Sequence, residues 1–293
     1  MIRLMKGLML GLVLLAATVQ ASESPGKAAI ASQHFLATEA GHEILEKGGN
    51  AFDAAIAVAA VLAVVEPTSS GLGGGGFWML HRAEDNFQTM VDAREVAPAA
   101  AQQDMYLDEN GEVNRDLARN GPLAGAIPGE VAGMEHLATH YGRLPLSVSL
   151  QPAIRIAREG FAIDEKFLAL LNWRFETIKR WPAAAEAYLV DGEKPPLGHI
   201  IKLPDLAWVL EQVAEHGAKG FDTGPVAEKL VKGVRGAGGI WTMEDLAAYR
   251  VQERDPIRTV IGGYELVTAP PPSSGGIAIA EILNIIEPYS VNE

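Results

Sequence analysis

Residues 50–67 constrain this chain more than any other stretch. Ala51–Val65 is apolar except for Asp53, with Ala54, Ile56, Val58, Val61, Leu62 and Val64 spread around every side of a helix. Asn50 is placed to cap that helix, with Asp53 at the third helical position to bond back to it. Pro67 ends it. A helix of this length is too short to cross a bilayer. Apolar all round, it must lie buried between layers, and its small alanines let neighbouring elements approach closely. The 293 residues, 48% of them hydrophobic, are enough to build such a core in one or two domains.

The flanking pattern mixes both kinds of element. Residues 28–32 read as a short buried strand and 38–47 as a helix closed by Gly48-Gly49. After the central helix comes a glycine loop, Gly71 to Gly76, and then a compact apolar strand over 77–80. A second strand spans 88–94, reached through the polar turn at Glu84-Asp85-Asn86. Asn110-Gly111 marks a turn. From Gly129 to about Lys232 the pattern is mainly helical. Thr242, three residues before Asp245, caps a short helix ending near Tyr249. Residues 260–268 return to strand and 276–286 to helix. Strands at both ends with helices between predict an α/β or α+β layered architecture.

The extreme N-terminus reads as an export signal rather than part of the fold. Arg3 and Lys6 form a positive region, residues 7–17 an apolar core, and Val19-Gln20-Ala21 a small-residue cleavage site. A short membrane anchor is the other reading, disfavoured by the length of the apolar run. The expected division is a signal peptide over 1–21 and one region over 22–293, in a bacterial protein that is periplasmic or secreted. The chain has no cysteine, which excludes disulfides, thiol catalysis and an acylated N-terminal cysteine. Its formal net charge of −13 argues against a nucleic-acid partner.

Several motifs invite assignments that their surroundings do not support. Gly71, Gly73 and Gly76 form a G-x-G-x-x-G, but here a helix enters the loop and a strand leaves it. A dinucleotide fingerprint needs the reverse order, so that a helix N-terminus meets the pyrophosphate. His136 and His140 stand one helical turn apart, at zinc-ligand spacing, yet Leu137 occupies the place of a zincin's general base. Two solvated surface histidines are the better reading. Ser69-Ser70 and Ser273-Ser274 lie outside any nucleophile elbow and read as turn formers. On a strand, Asp92 and Arg94 share a face near its end. They could form an ordinary surface ion pair, Asp92–Arg94 or Arg94–Glu95, or Arg94 could hold a ligand carboxylate through two parallel bonds.

As a set, the blocks Asp53-Ala54-Ala55-Ile56-Ala57, Gly73-Gly74-Gly75-Gly76-Phe77, Asp92-Ala93-Arg94-Glu95-Val96-Ala97-Pro98 and Pro270-Pro271-Pro272-Ser273-Ser274-Gly275-Gly276 resemble the gamma-glutamyltransferase (glutathione hydrolase) family. Gly125-Ala126-Ile127-Pro128-Gly129, Gln151-Pro152-Ala153 and Ala157-Arg158-Glu159-Gly160 fit between them in the same order. The resemblance runs from about Ala28 to the C-terminus and corresponds to the family's large subunit. It implies an N-terminal-nucleophile hydrolase fold, an αββα sandwich that would be incomplete in this chain. It also implies a precursor that cleaves itself ahead of a threonine. That threonine attacks a gamma-glutamyl amide, as in glutathione, and water or an amine resolves the ester. Its free α-amine can serve as base for its own hydroxyl, so cleavage must precede activity.

By the same resemblance Arg94 binds the α-carboxylate of the gamma-glutamyl group. No catalytic residue is assigned, because the nucleophilic threonine would lie beyond the C-terminus, in the small subunit. No metal or organic cofactor is expected. The expected partners are a gamma-glutamyl substrate and the small subunit of the same precursor. The chain alone is expected to be inactive and poorly soluble. The alternatives are an acylase of the same superfamily, acting on a cephalosporin or oxamate amide, and a non-catalytic remnant that only binds ligand or partner.

Overall fold

The computed structural model describes residues 28–289, so the expected signal peptide lies outside the described residues. Contacts separate residues 1–31 from 32–293. Of the first unit only residues 28–31 are described, as irregular chain without helix or strand. The strand expected over 28–32 is therefore absent, and none of its residues is buried.

In the second unit the central helix is Ala51–Val65, with the bounds expected from sequence. Asn50 accepts from the Phe52 and Asp53 amides, and the Asp53 carboxylate accepts from the Asn50 amide at 2.8 Å. Ile56, Ala57, Ala60, Val61 and Val64 are fully inaccessible. They pack against the helices Phe35–Glu46, Glu130–His140 and Gln151–Glu159. Burial of each such aliphatic side chain contributes on the order of 2 kcal/mol, which makes this helix the organising centre of the core.

Asp53 does more than cap. Fully buried, it also accepts from the Arg143 amide at 2.9 Å and the Leu144 amide at 3.3 Å, while Asn50 Nδ2 donates to Tyr141 O. One carboxylate thus fastens the start of the central helix to the turn after Glu130–His140. The helix before it begins at Phe35, three residues earlier than expected, because His34 serves as its cap. His34 Nδ1 accepts from the Leu36 amide at 3.2 Å, a role more usual for Ser, Thr, Asp or Asn.

Among the described residues the strands form three small antiparallel sheets. β1 (Gly76–Arg82), β2 (Phe87–Ala93) and β5 (Gln252–Arg254) make one in the order β1-β2-β5. β3 (Phe161–Ala162) pairs with β4 (Ile200–Ile201) within the helical region, where no strand was expected. The single strand expected over 260–268 is instead a hairpin, β6 (Ile257–Ile261) and β7 (Tyr264–Thr268), turned at Gly262-Gly263, both at positive φ. The cap at Thr242 and its box with Asp245 are present, opening the helix Met243–Ala248. The class is α+β.

The last helix, Gly275–Ile286, leaves a broad apolar face uncovered among the described residues. Ile282 and Ile285 are 57% and 67% exposed, and Val260 and Tyr264 of the hairpin 65% and 82%. No helix among the described residues is long and apolar enough to cross a membrane.

Replacing Asp53 by Ala strips the acceptor from three backbone N–H groups at once. The expected loss is on the order of 3 kcal/mol or more, read as a lowered midpoint in thermal or urea unfolding. An unchanged midpoint would show that these bonds do not hold the central helix.

Candidate functional site

Arg94 follows directly on β2, and three separate segments fix its backbone. Its amide donates to Asp92 Oδ1 at 3.1 Å. Its carbonyl accepts from Tyr249 Oη at 2.8 Å. The glycine loop presses on the residue before it: a Cβ on Gly75 would stand 2.2 Å from Ala93 O. A Cβ on Gly129 would meet Tyr249 Oη at 2.1 Å and the same carbonyl at 2.3 Å. Glycine is needed at both places because backbone occupies the space a side chain would take. Val96 and Ile127 bond reciprocally through their backbones, joining the strand end to the Gly125–Gly129 block.

Of the readings open at the strand end, neither local ion pair, Asp92–Arg94 nor Arg94–Glu95, is formed among the described residues. Asp92, 8% exposed, pairs with Arg254 of β5, whose Nε donates to Asp92 Oδ2 at 2.7 Å. The Arg94 side chain is exposed, its guanidinium 5.8 Å from the centre of the Phe77 ring. Among the described residues no carboxylate stands within ion-pair distance of it.

Arg94 lines a groove of about 400 Å³ with Asp92, Glu95, Tyr249, Arg254 and Pro272. The strand end and the Pro270–Gly276 block, nearly 180 residues apart, thus border one cavity. The Pro271–Pro272 peptide there is cis. Arg250 also borders the groove, but its Nη1 donates to the carbonyls of Ala247 and Tyr249. With Arg254 held by Asp92, Arg94 is the arginine of this groove whose fork is free, among the described residues, to take a planar anion.

Tyr249 and Arg254 are the residues that sequence reasoning missed. The phenol of Tyr249 is pushed up by burial and by the nearby Asp92 carboxylate, so it stays a hydrogen-bond donor at neutral pH. Neither residue carries a local signal, since each acts through a partner more than 150 positions away.

A second cleft opens beside the glycine loop and takes in Glu95 and Glu130. Glu130, the first residue of its helix, is 8% exposed. Its amide donates to Gly74 O at 3.1 Å, which anchors the loop. Burial, with the Glu95 carboxylate next in effect, pushes the Glu130 carboxyl up to about 7.

The remaining motifs behave as follows. The helix-loop-strand order around the glycine loop is as expected and does not match a dinucleotide site. His136 Nε2 lies 2.7 Å from Glu253 Oε1, which also accepts from Tyr141 Oη, so this histidine ties its helix to β5 rather than pointing into solvent. His140 is exposed and its ring lies 4.4 Å from that of His136. Among the described residues no group of three or more His, Asp or Glu could hold a metal ion. Ser273 Oγ accepts from the Gly275 amide, as a turn former does, and the Ser69 and Ser70 amides donate to Glu66 O at the end of the central helix.

A carboxyl raised from 4.5 to about 7 binds more protons folded than unfolded. Its contribution to stability is therefore fully present below pH 4.5 and lost as pH rises through 7. Glu130→Gln should be more stable than the parent above pH 7, by on the order of 3 kcal/mol, with the difference closing toward pH 4.5. Unfolding midpoints of both proteins across that range test this. A pH-independent difference would refute it.

A sequence profile described as gamma-glutamyltranspeptidase matches residues 37–293. The glutathione hydrolase proenzyme of Escherichia coli K12 is 40% identical over 265 residues, covering 90% of this chain and 46% of that protein. This chain thus spans about half the length of the curated relatives it matches. The crystal structure of Helicobacter pylori gamma-glutamyltranspeptidase superposes with a TM-score of 0.88 at 39% identity, over 90% of this chain and 76% of that one. A cephalosporin acylase from Bacillus halodurans superposes with a TM-score of 0.75 at 28% identity, over 90% of this chain and 52% of that one. These likenesses bear out the N-terminal-nucleophile hydrolase fold. Fold, motif order and matched length converge: the chain belongs to the gamma-glutamyltranspeptidase family.

Proposed function

We propose that this chain is the large-subunit portion, residues 22–293, of a gamma-glutamyl hydrolase and transferase exported by a signal peptide over residues 1–21 to the periplasm or the medium. The observation that carries the reading is the Arg94 guanidinium, fixed at its root and without a carboxylate partner among the described residues, in a groove also bordered by Pro272. A fork of parallel N–H donors suits the α-carboxylate at the end of a gamma-glutamyl group. Anchoring that end leaves the distant amide to be aimed at a nucleophile, and such orientation can contribute several kcal/mol to a barrier.

The reaction proposed is attack of a threonine hydroxyl on the gamma-glutamyl amide. The amide C–N bond breaks, the amine leaves with a proton, and a gamma-glutamyl ester remains. Water then releases glutamate, or an amine takes the acyl group, and the hydroxyl is restored. The threonine belongs to the small subunit of the same precursor. The uncovered isoleucines of Gly275–Ile286 and the exposed hairpin support a covering partner of that kind, since a patch this apolar is seldom left to water.

The likeness to the cephalosporin acylase keeps hydrolysis of another amide as the second reading. The two differ in whether the substrate must carry an α-carboxylate for Arg94.

The test is expression of the complete reading frame and assay with gamma-glutamyl-p-nitroanilide. Arg94→Ala should raise KM and lower kcat/KM by about 10- to 100-fold, with Arg94→Lys between. Tyr249→Phe, which frees the Arg94 carbonyl, should lower kcat/KM by less than Arg94→Ala does. Absence of gamma-glutamyl cleavage from the complete protein, or indifference to Arg94→Ala, would overturn the assignment.

A further inference from the structure

The cleft beside the glycine loop has a lining of one chemical kind. About 470 Å³ in volume, it is bordered by the backbone of the loop, by the side chains of Thr68, Ser69 and Ser70, and by the Glu95 and Glu130 carboxylates. Among the described residues no lysine, arginine or histidine borders it. Every side-chain polar atom facing it is oxygen, and two of those groups can carry negative charge.

Glu130 makes this more than a pair of surface acids. The residue is over nine-tenths buried, yet among the described residues its carboxylate has no hydrogen-bond or ion-pair partner, only the neighbouring Glu95 charge. The buried side-chain polar atoms without a partner among the described residues are Trp78 Nε1 and Ser149 Oγ, so the Glu130 oxygens still reach solvent, through the cleft that the residue borders. Its carboxyl end faces the cleft: Oε2 would stand 3.5 Å from a Cβ placed on Gly76, and Glu95 Oε1 lies 3.5 Å from one placed on Gly74. Each acid therefore approaches a residue without a side chain, Glu95 at Gly74 in the loop and Glu130 at Gly76 where β1 begins.

We infer that this cleft binds a primary ammonium group carried on a small organic molecule, held between the Glu95 and Glu130 carboxylates. An ammonium has three N–H donors, which the two carboxylates and one hydroxyl of Thr68, Ser69 or Ser70 would satisfy. A bare divalent ion fits poorly. It requires six or more oxygens at about 2.0–2.6 Å, and no metal-holding group of three acids or histidines exists among the described residues. The volume instead falls within the few-hundred-Å³ range of small-molecule sites. An anion would find no cation there. The raised proton affinity of Glu130 fits an acid waiting for a positive partner. The inference does not depend on the gamma-glutamyl reading, because Arg94 lines the other groove and the readout is binding.

The experiment is calorimetric titration of the protein from its complete reading frame with n-propylammonium chloride, at fixed ionic strength. n-Propanol serves as the neutral isostere and magnesium and calcium chloride as competitors. Saturable binding of propylammonium is expected, with none by propanol. Glu130→Gln and Glu95→Gln should each weaken it by about tenfold or more. Glu95 is only partly buried, so its variant tests the site without touching the core. The inference fails if propylammonium does not saturate or if propanol binds equally. It fails also if both variants bind as the parent does, or if magnesium or calcium displaces the amine.

Discussion

Asp92 spends both carboxylate oxygens inside the protein. Oδ2 takes the Arg254 guanidinium and Oδ1 the Arg94 amide, so one side chain closes the β2–β5 edge and sets the direction in which the chain leaves the strand. Without it, Arg254 would be released beside Arg94, and two adjacent cations would compete for one ligand. The close approach of Gly75 and Gly129 to Ala93 O depends on the same fixed path. The charge arithmetic is simple: of three arginines around the groove, the protein occupies two.

The two clefts share a wall. Glu95 borders both, while Arg94 borders one and Glu130 the other. A single Arg-Glu step at the end of a strand thus separates a groove suited to an anion from one suited to a cation.

What the sequence made legible was local. The bounds of Ala51–Val65 followed from an Asn cap, an Asp three residues on and a Pro beyond, all acting within one turn of each other. Arg94 was singled out through its motif. Tyr249 and Arg254 were not, because their partners are contacts of tertiary origin with no spacing to read. The helix at Phe35 was missed by three residues because an imidazole capped it. One strand was read over 260–268 where the hairpin Ile257–Thr268 stands, because Gly262-Gly263 was not recognised as its turn. The local pairings open to Asp92 and Arg94 in sequence did not include Arg254, which holds Asp92 from across the sheet.

The separation between β2 and its partners also bears on synthesis. Tyr249 and Arg254 lie 155 and 162 residues after the groups they hold. At ribosomal speeds of about 5–20 residues per second, that interval is roughly 8 to 30 s. For that time the free edge of β2 stays unpaired, and unpaired edges template wrong associations. Helices between them can form in about a microsecond, far within the interval that separates β2 from Tyr249 and Arg254. The last part of this fold to become possible is the part that would meet a ligand, and any holding factor acting on the growing chain would have the β2 edge as its target.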